Sequence, residues 1–255
     1  MWGIILEMEV LSLQTIGYAV LCGIVPPLIW LYFLLQENRR CPEPRALIFI
    51  AFILGMIAVP IVIPLESVSL SYVIAHFSGC SDATSTCTPA IFAWAAIEET
   101  VKYTLAAIFL LRHRAVDNSL DLIIYMITVA LGFAALENVF FLITPFAHGD
   151  ITNGLITDNL RFVGSTLLHV VASSAIGFAL AFSHALPRAQ RAAAAAGGLI
   201  LAIALHSVFN FFIITQNGSQ TIIAFFFVWT GAVLFLALFE LLKYYRFRNL
   251  PPNTC

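Results

Sequence analysis

The sequence predicts an all-α, polytopic transmembrane helical bundle of about seven spans, and three observations carry that prediction. The 255 residues are 61% hydrophobic and 10% charged, whereas soluble domains carry about 25% charged residues. Mean hydropathy is +0.96. Apolar stretches long enough for a hydrocarbon core about 30 Å thick recur at 16–36, 46–66, 90–111, 120–143, 162–184, 193–215 and 220–243. Nothing is left over for a soluble domain, so residues 1–255 read as one integral membrane unit of a cell membrane. Its partner is the lipid bilayer; no nucleic-acid partner is expected.

Each element has its own signals. Met1 to Leu13 lies at the outer surface or lengthens the first helix; without Lys or Arg in its first fifteen residues, the chain lacks the basic start of a signal peptide. Pro26 and Pro27 in the first span, and Pro60 and Pro64 in the second, predict kinks. Arg39, Arg40 and Arg45 follow the first span, Arg112 and Arg114 the third, Arg188 and Arg191 the fifth, and Lys243, Arg246 and Arg248 the last. Ten of the 12 basic residues thus fall in alternate loops, which puts the N-terminus outside and the C-terminus in the cytoplasm. The exceptions are Arg161, at the outer edge of span five, and Lys102, inside span three.

The outside loop holding Cys80 and Cys87 permits a disulfide, while Cys41 and Cys255 fall on the reducing side. Residues 145–159 read as an outside loop, a lid or a connector. Ser173, Gly177 and Ala181 recur at four-residue spacing, which suits close helix packing. The sequon at 217–219 hugs the membrane and carries little weight.

Ionisable groups near a bilayer centre cost about 2.5–3.5 kcal/mol each. Here they are Glu98, Glu99, Lys102, Glu137, His169 and His206, with Asn138 and Asn210 beside them. At about 1.5 Å rise per residue, Glu98, Glu137, His169 and His206 all fall in a layer about 10–14 Å below the outer surface. Four helices delivering polar groups to one depth predict a shared site. Within it, Lys102 can reach Glu98 at i,i+4 and Glu99 at i,i+3, and His206 shares a face with Asn210. Each has a plainer reading: a buried ion pair, a helix-bridging histidine, an asparagine that glues helices.

Carboxylates with histidines suit water activation. Glu98 or Glu99 would be the general base, while a histidine and an asparagine stabilise the oxyanion. A rival version holds a metal on two histidines and a glutamate with a second glutamate as base. No HExxH pattern is present, and no Ser-His-Asp arrangement stands at that depth.

The order "EETVK" (98–102), "FAALEN" (133–138), His169 and "HSVFN" (206–210) resembles the PrsW-type intramembrane proteases, and is more distantly similar to the CAAX prenyl endopeptidase and bacteriocin-processing superfamily. "CPEPR" (41–45) and "DLIIY" (121–125) resemble the same family. The resemblance implies peptide-bond hydrolysis inside the membrane, with a membrane-protein substrate such as an anti-sigma-like single-span protein. It makes 1–255 a single protease domain with a catalytic core at about 90–215.

The expected assignments are Glu98 as base, Lys102 as its electrostatic partner, and Glu99 as support or alternative base. His206 and Asn210 polarise the carbonyl or hold the oxyanion, while His169 and Glu137 complete the water or metal site. A metal, zinc being the candidate, would sit on Glu137, His169 and His206. A proton-coupled transporter, a seven-span receptor and a catalytically silent scaffold of the same fold stay open as alternatives.

Overall fold

The computed structural model describes residues 12–39, 41–77, 80, 87–214 and 220–248. Residues 1–11, Cys255 and the sequon at 217–219 lie outside them. The described residues are all-helical: α1 Leu13–Glu37, α2 Arg45–His76, α3 Thr88–Phe109, α4 Ser119–Ala147, α5 Ile151–Leu160, α6 Thr166–Phe182, α7 Arg188–Ile214 and α8 Thr221–Phe247. A five-residue π turn, Arg161–Ser165, joins α5 to α6 without a break. Six helices are long and apolar enough to cross a membrane, α5 and α6 counting as one. The seventh, α3, has 22 residues but carries Glu98, Glu99 and Lys102 within two turns.

Local chemistry sets the ends. Asn118 and Asp121 cap the start of α4 reciprocally: Asn118 Oδ1 accepts from the backbone of Leu120 at 2.9 Å and Asp121 at 3.3 Å, and Asp121 Oδ2 accepts from Asn118 N at 3.2 Å. Ser12 caps α1 through Thr15 N at 3.0 Å. Helices α1 and α2 run on through their prolines.

Two expected boundaries shift. Helix α2 continues ten residues past the expected end of span two, to His76. The expected loop at 145–159 is mostly helix: α4 runs to Ala147, Gly149 turns the chain with φ 71°, and Asp150 caps α5 by accepting from Asn153 N at 3.0 Å. Its Asn, Asp and Thr content looked like a loop because those residues favour caps and turns. Cys80 and Cys87 are joined by a disulfide. Cys41 is disulfide-bonded too, so the expectation of a reduced thiol does not hold for it.

Helix α4 forms the axis. It packs against α1, α2 and α6, is apolar all round, and buries nearly every residue from Leu120 to Val139. Glycine makes the α2–α4 approach close: a Cβ on Gly55 would stand 2.0 Å from Val129 O, and one on Gly132 would stand 1.9 Å from Phe52 O. Gly177 of α6 crosses α4 in the same way, where a Cβ would stand 2.8 Å from Ile123 Cα. Helix α3 packs against α2 and α7, α7 lies along α6, and α8 closes the outside. The bundle therefore presents α3, α4, α6 and α7 to one another.

At the other end of α4, the "CPEPR" and "DLIIY" segments meet. Tyr125 donates to Glu43 Oε2 at 3.0 Å, and Asn38 Nδ2 donates to Cys41 O at 2.6 Å. Burial, then the Asp121 carboxyl beside it, push the Glu43 carboxyl up to about 8.

Candidate active site

Glu98, Glu99 and Lys102 occupy the buried face of α3, and their lengths decide what each meets. Lys102, fully buried, donates to Glu99 Oε1 at 2.5 Å and to His169 Nδ1 at 3.1 Å, and its ammonium lies 4.4 Å from the Phe133 ring centre. Its distance to Glu98 Oε2 is 3.9 Å. Glu99, also inaccessible, accepts two further bonds, from His206 Nδ1 at 2.8 Å and from Ser173 Oγ at 3.0 Å.

An ammonium can only donate, so His169 Nδ1 accepts and the proton sits on Nε2. From there His169 donates to Glu137 Oε2 at 3.1 Å. His206 likewise spends its Nδ1 proton on Glu99. Each imidazole thus gives one nitrogen to a carboxylate and leaves the other facing Glu98 Oε2, at 4.0 Å for His169 Nδ1 and 3.9 Å for His206 Nε2. Glu98 Oε2 is buried with no hydrogen-bond partner among the described residues.

The ligating atoms of Glu98, His169 and His206 lie within 4.8 Å of one another. Two histidines and a glutamate are a donor set that catalytic zinc sites use with one position left open. The second nitrogen of each imidazole is held by a carboxylate, as in metal sites where that bond fixes tautomer and ring orientation. A buried carboxylate oxygen without a hydrogen bond, beside the open Nε2 of His206 and the His169 Nδ1 that accepts from the Lys102 ammonium, fits a cation that would take over Nδ1 from that ammonium. The residues present fit a metal.

The structure thus brings Glu98, Glu99, Lys102, Glu137, His169 and His206 together at one depth, as their spacing predicts. Glu137 stands one step outside the close triple, between His169 and Arg161, to which it is ion-paired. Asn138 donates to Thr166 Oγ1 at 3.1 Å and accepts from Arg161 Nε at 2.6 Å. Asn210 is half-buried one turn beyond His206, and among the described residues no hydrogen bond joins it to the buried group.

Three participants were not foreseen in these positions. Glu66 of α2 is 6% exposed, with its carboxyl in hydrogen-bonding reach of Glu98. Ser173, expected only to pack, shares a helix face with His169 one turn back and donates to Glu99. Arg161 had a signal: it breaks the alternation of basic loops.

Residues 43–239 match the family model described as PrsW family intramembrane metalloprotease. The chain is 27% identical to the Protease PrsW of Oceanobacillus iheyensis over 235 residues, 91% of this chain and 95% of that one. It is 25% identical to the Protease PrsW of Clostridioides difficile over 197 residues, 77% and 79% of the two chains. A third similar protein, the Protease PrsW of Geobacillus kaustophilus, is 29% identical over 158 residues, 61% and 62% of the two chains. No solved structure matches.

Proposed function

The chain belongs to the PrsW family of intramembrane metalloproteases, and from that premise we propose that Glu98, His169 and His206 hold its metal and form the hydrolytic centre. The observation that carries this reading is the paired imidazoles, each tied to a carboxylate and each with its other nitrogen about 4 Å from Glu98 Oε2, which has no hydrogen bond among the described residues. Family membership sets aside the receptor and transporter readings. A bound divalent ion, with zinc the best fit to the donors, would supply Lewis-acid polarisation of water and scissile carbonyl.

The chain's own groups divide the remaining work. Glu99 holds His206 by its Nδ1 proton, and Lys102 and Ser173 hold Glu99. Glu137 holds His169 by its Nε2 proton. Relative to the assignment drawn from the sequence, Glu98 moves from general base to ligand, and Glu137 moves from ligand to the group that orients His169. Asn210 keeps no part in holding the centre.

We place α3 across the bilayer as the seventh span, with its three charges tolerated because they face α6 and α7. The N-terminus is outside and the C-terminus cytoplasmic, and the catalytic core runs from about 90 to 215 in a single domain. The substrate is a membrane-embedded protein, such as an anti-sigma-like single-span protein, cut in the outer half of its helix, since the polar layer lies about 10–14 Å from the outer surface.

The test uses the purified full chain in detergent with a co-reconstituted single-span substrate. Wild type is expected to carry about one equivalent of divalent metal and to cleave. Glu98→Gln and His206→Ala should stay folded and lose both. Metal-free turnover, or full metal content in Glu98→Gln, rejects this ligand set. Cleavage sites mapped by mass spectrometry to the cytoplasmic third of the substrate helix reject the placement. A folded, metal-loaded wild type that cleaves no membrane peptide supports the silent-scaffold alternative.

A further inference from the structure

We infer that Arg161 is a positioning residue for His169: acting through Glu137, it fixes the imidazole with its proton on Nε2 and its Nδ1 turned toward Glu98. The inference rests on the hydrolytic centre proposed above and adds a residue that touches none of the three proposed ligands.

The backbone makes the connection. On an uninterrupted α-helix, eight residues at about 100° each leave Arg161 and His169 about 80° apart around the axis. The π turn Arg161–Ser165 inserts about one residue without advancing the face, so the two become effectively seven positions apart and about 20° from alignment. Arg161 therefore stands above His169 on the side that looks at α4. There its Nη2 pairs with Glu137 Oε2, its Nε donates to Asn138 Oδ1 at 2.6 Å, and its guanidinium lies 3.9 Å from the Phe141 ring centre. Glu137, Asn138 and Phe141 occupy one face at i, i+1 and i+4, so a planar fork with two arms fits them where an ammonium would not.

Glu137 Oε2 is the same oxygen that accepts from His169 Nε2 at 3.1 Å. Arg161 is the cation paired with that oxygen. With Arg161 gone, Glu137 loses the partner that keeps it above the ring, and the Nε2–H bond loses its fixed acceptor. Outer partners of ligating histidines are worth about 10- to 100-fold in metal affinity or activity.

The experiment compares wild type, Arg161→Met, Arg161→Lys, Glu137→Gln and the Arg161→Met/Glu137→Gln double variant, each purified as the full chain in detergent. The primary reading is the imidazole Nε2–H signal of His169 in ¹⁵N-histidine-labelled protein, assigned by its absence in His169→Asn. Wild type should show a downfield, slowly exchanging signal. Arg161→Met should shift it or broaden it by faster exchange, and Arg161→Lys should fall between.

Zn²⁺ affinity, by competition with a chromogenic chelator, should fall about 10- to 100-fold in Arg161→Met. Turnover should fall through kcat with KM within about twofold, and the double variant should lose little more than Glu137→Gln alone. An unchanged His169 signal in Arg161→Met, or additive losses in the double variant, overturns the inference. If wild type neither binds Zn²⁺ nor cleaves, the hydrolytic reading fails, while the His169 signal still decides the role of Arg161. Should Arg161→Met not fold, Arg161→Lys carries the same comparison.

Discussion

Glu99→Gln keeps the shape of the side chain and removes its charge, so it isolates what the Glu99–Lys102 pair contributes. Both side chains are inaccessible and their charged atoms are 2.5 Å apart. At an effective dielectric of about 20, that separation corresponds to a gross attraction of about 6–7 kcal/mol. Glu98, at 3.9 Å, remains near Lys102 after the change and offsets part of the loss. Breaking a buried pair from one side costs about 3–5 kcal/mol, because the other charge is left uncompensated. The same range applies to Lys102→Met, which strands Glu99 against one imidazole and a serine. Removing both charges together should cost no more than about 2 kcal/mol, since apolar or neutral replacements of a buried pair are often close to neutral. The cycle therefore predicts a coupling of at least about 4 kcal/mol, measured by reversible unfolding in mixed micelles. The double variant should be stable and inactive, because His206 has lost the charged acceptor for its Nδ1 proton. Single losses that simply add in the double variant, with coupling under about 0.5 kcal/mol, would refute the claim that this pair acts as one unit.

Two further changes test parts of the bundle away from the centre. Burial and the neighbouring Asp121 carboxyl raise Glu43 to about 8, so the folded chain keeps a proton that the unfolded chain releases above about 4.5; stability should fall as pH rises from about 4.5 to 8. Glu43→Gln should flatten that segment of the melting-temperature profile and still accept from Tyr125, and parallel profiles for the two proteins would reject the assignment. Gly132→Ala places a methyl group 1.9 Å from Phe52 O, so α2 and α4 must separate. A loss of about 1–3 kcal/mol is expected, together with reduced turnover because Phe133, Glu137 and Asn138 ride on the same helix; unchanged unfolding would show that the approach is not tight.

The parts of the fold that were legible in the sequence are those governed by one helix at a time. Hydropathy located the membrane helices, and the fixed rise per residue placed Glu98, Glu137, His169 and His206 at one depth before any contact was known. Spacing along a helix does not report direction across the bundle. The sequence therefore could not decide which carboxylate faces His169 Nδ1 and His206 Nε2. Asn210 shows the same limit from the other side: it shares a face with His206 but sits one turn, about 5.4 Å, further along. Arg161 and Glu66 were hidden by boundaries. Arg161 follows a helix whose polar residues resemble a loop, and Glu66 was taken as the last residue of a span that continues to His76. Ser173 was visible only as a small residue, because its hydroxyl acquires meaning from Glu99 on another helix.

The charges of the buried layer bear on the metal independently of ligand geometry. Among the described residues it holds four carboxyl groups, Glu66, Glu98, Glu99 and Glu137, against two fixed cations, Lys102 and Arg161. With the imidazoles neutral, the layer carries two uncompensated negative charges if every acid is ionised, and one if Glu66 and Glu98, which lie in hydrogen-bonding reach, share a proton. Burying even one unpaired charge is costly enough that proteins neutralise it by a proton, a partner or a metal. A divalent cation at Glu98, His169 and His206, as proposed above, would supply positive charge at the point where Glu98 Oε2 lacks a hydrogen bond. The donor arrangement and the charge count support the proposed metal from different observations: one from the nitrogen and carboxylate atoms that face one another, the other from the acids and bases that α2, α3, α4 and the π turn bring together.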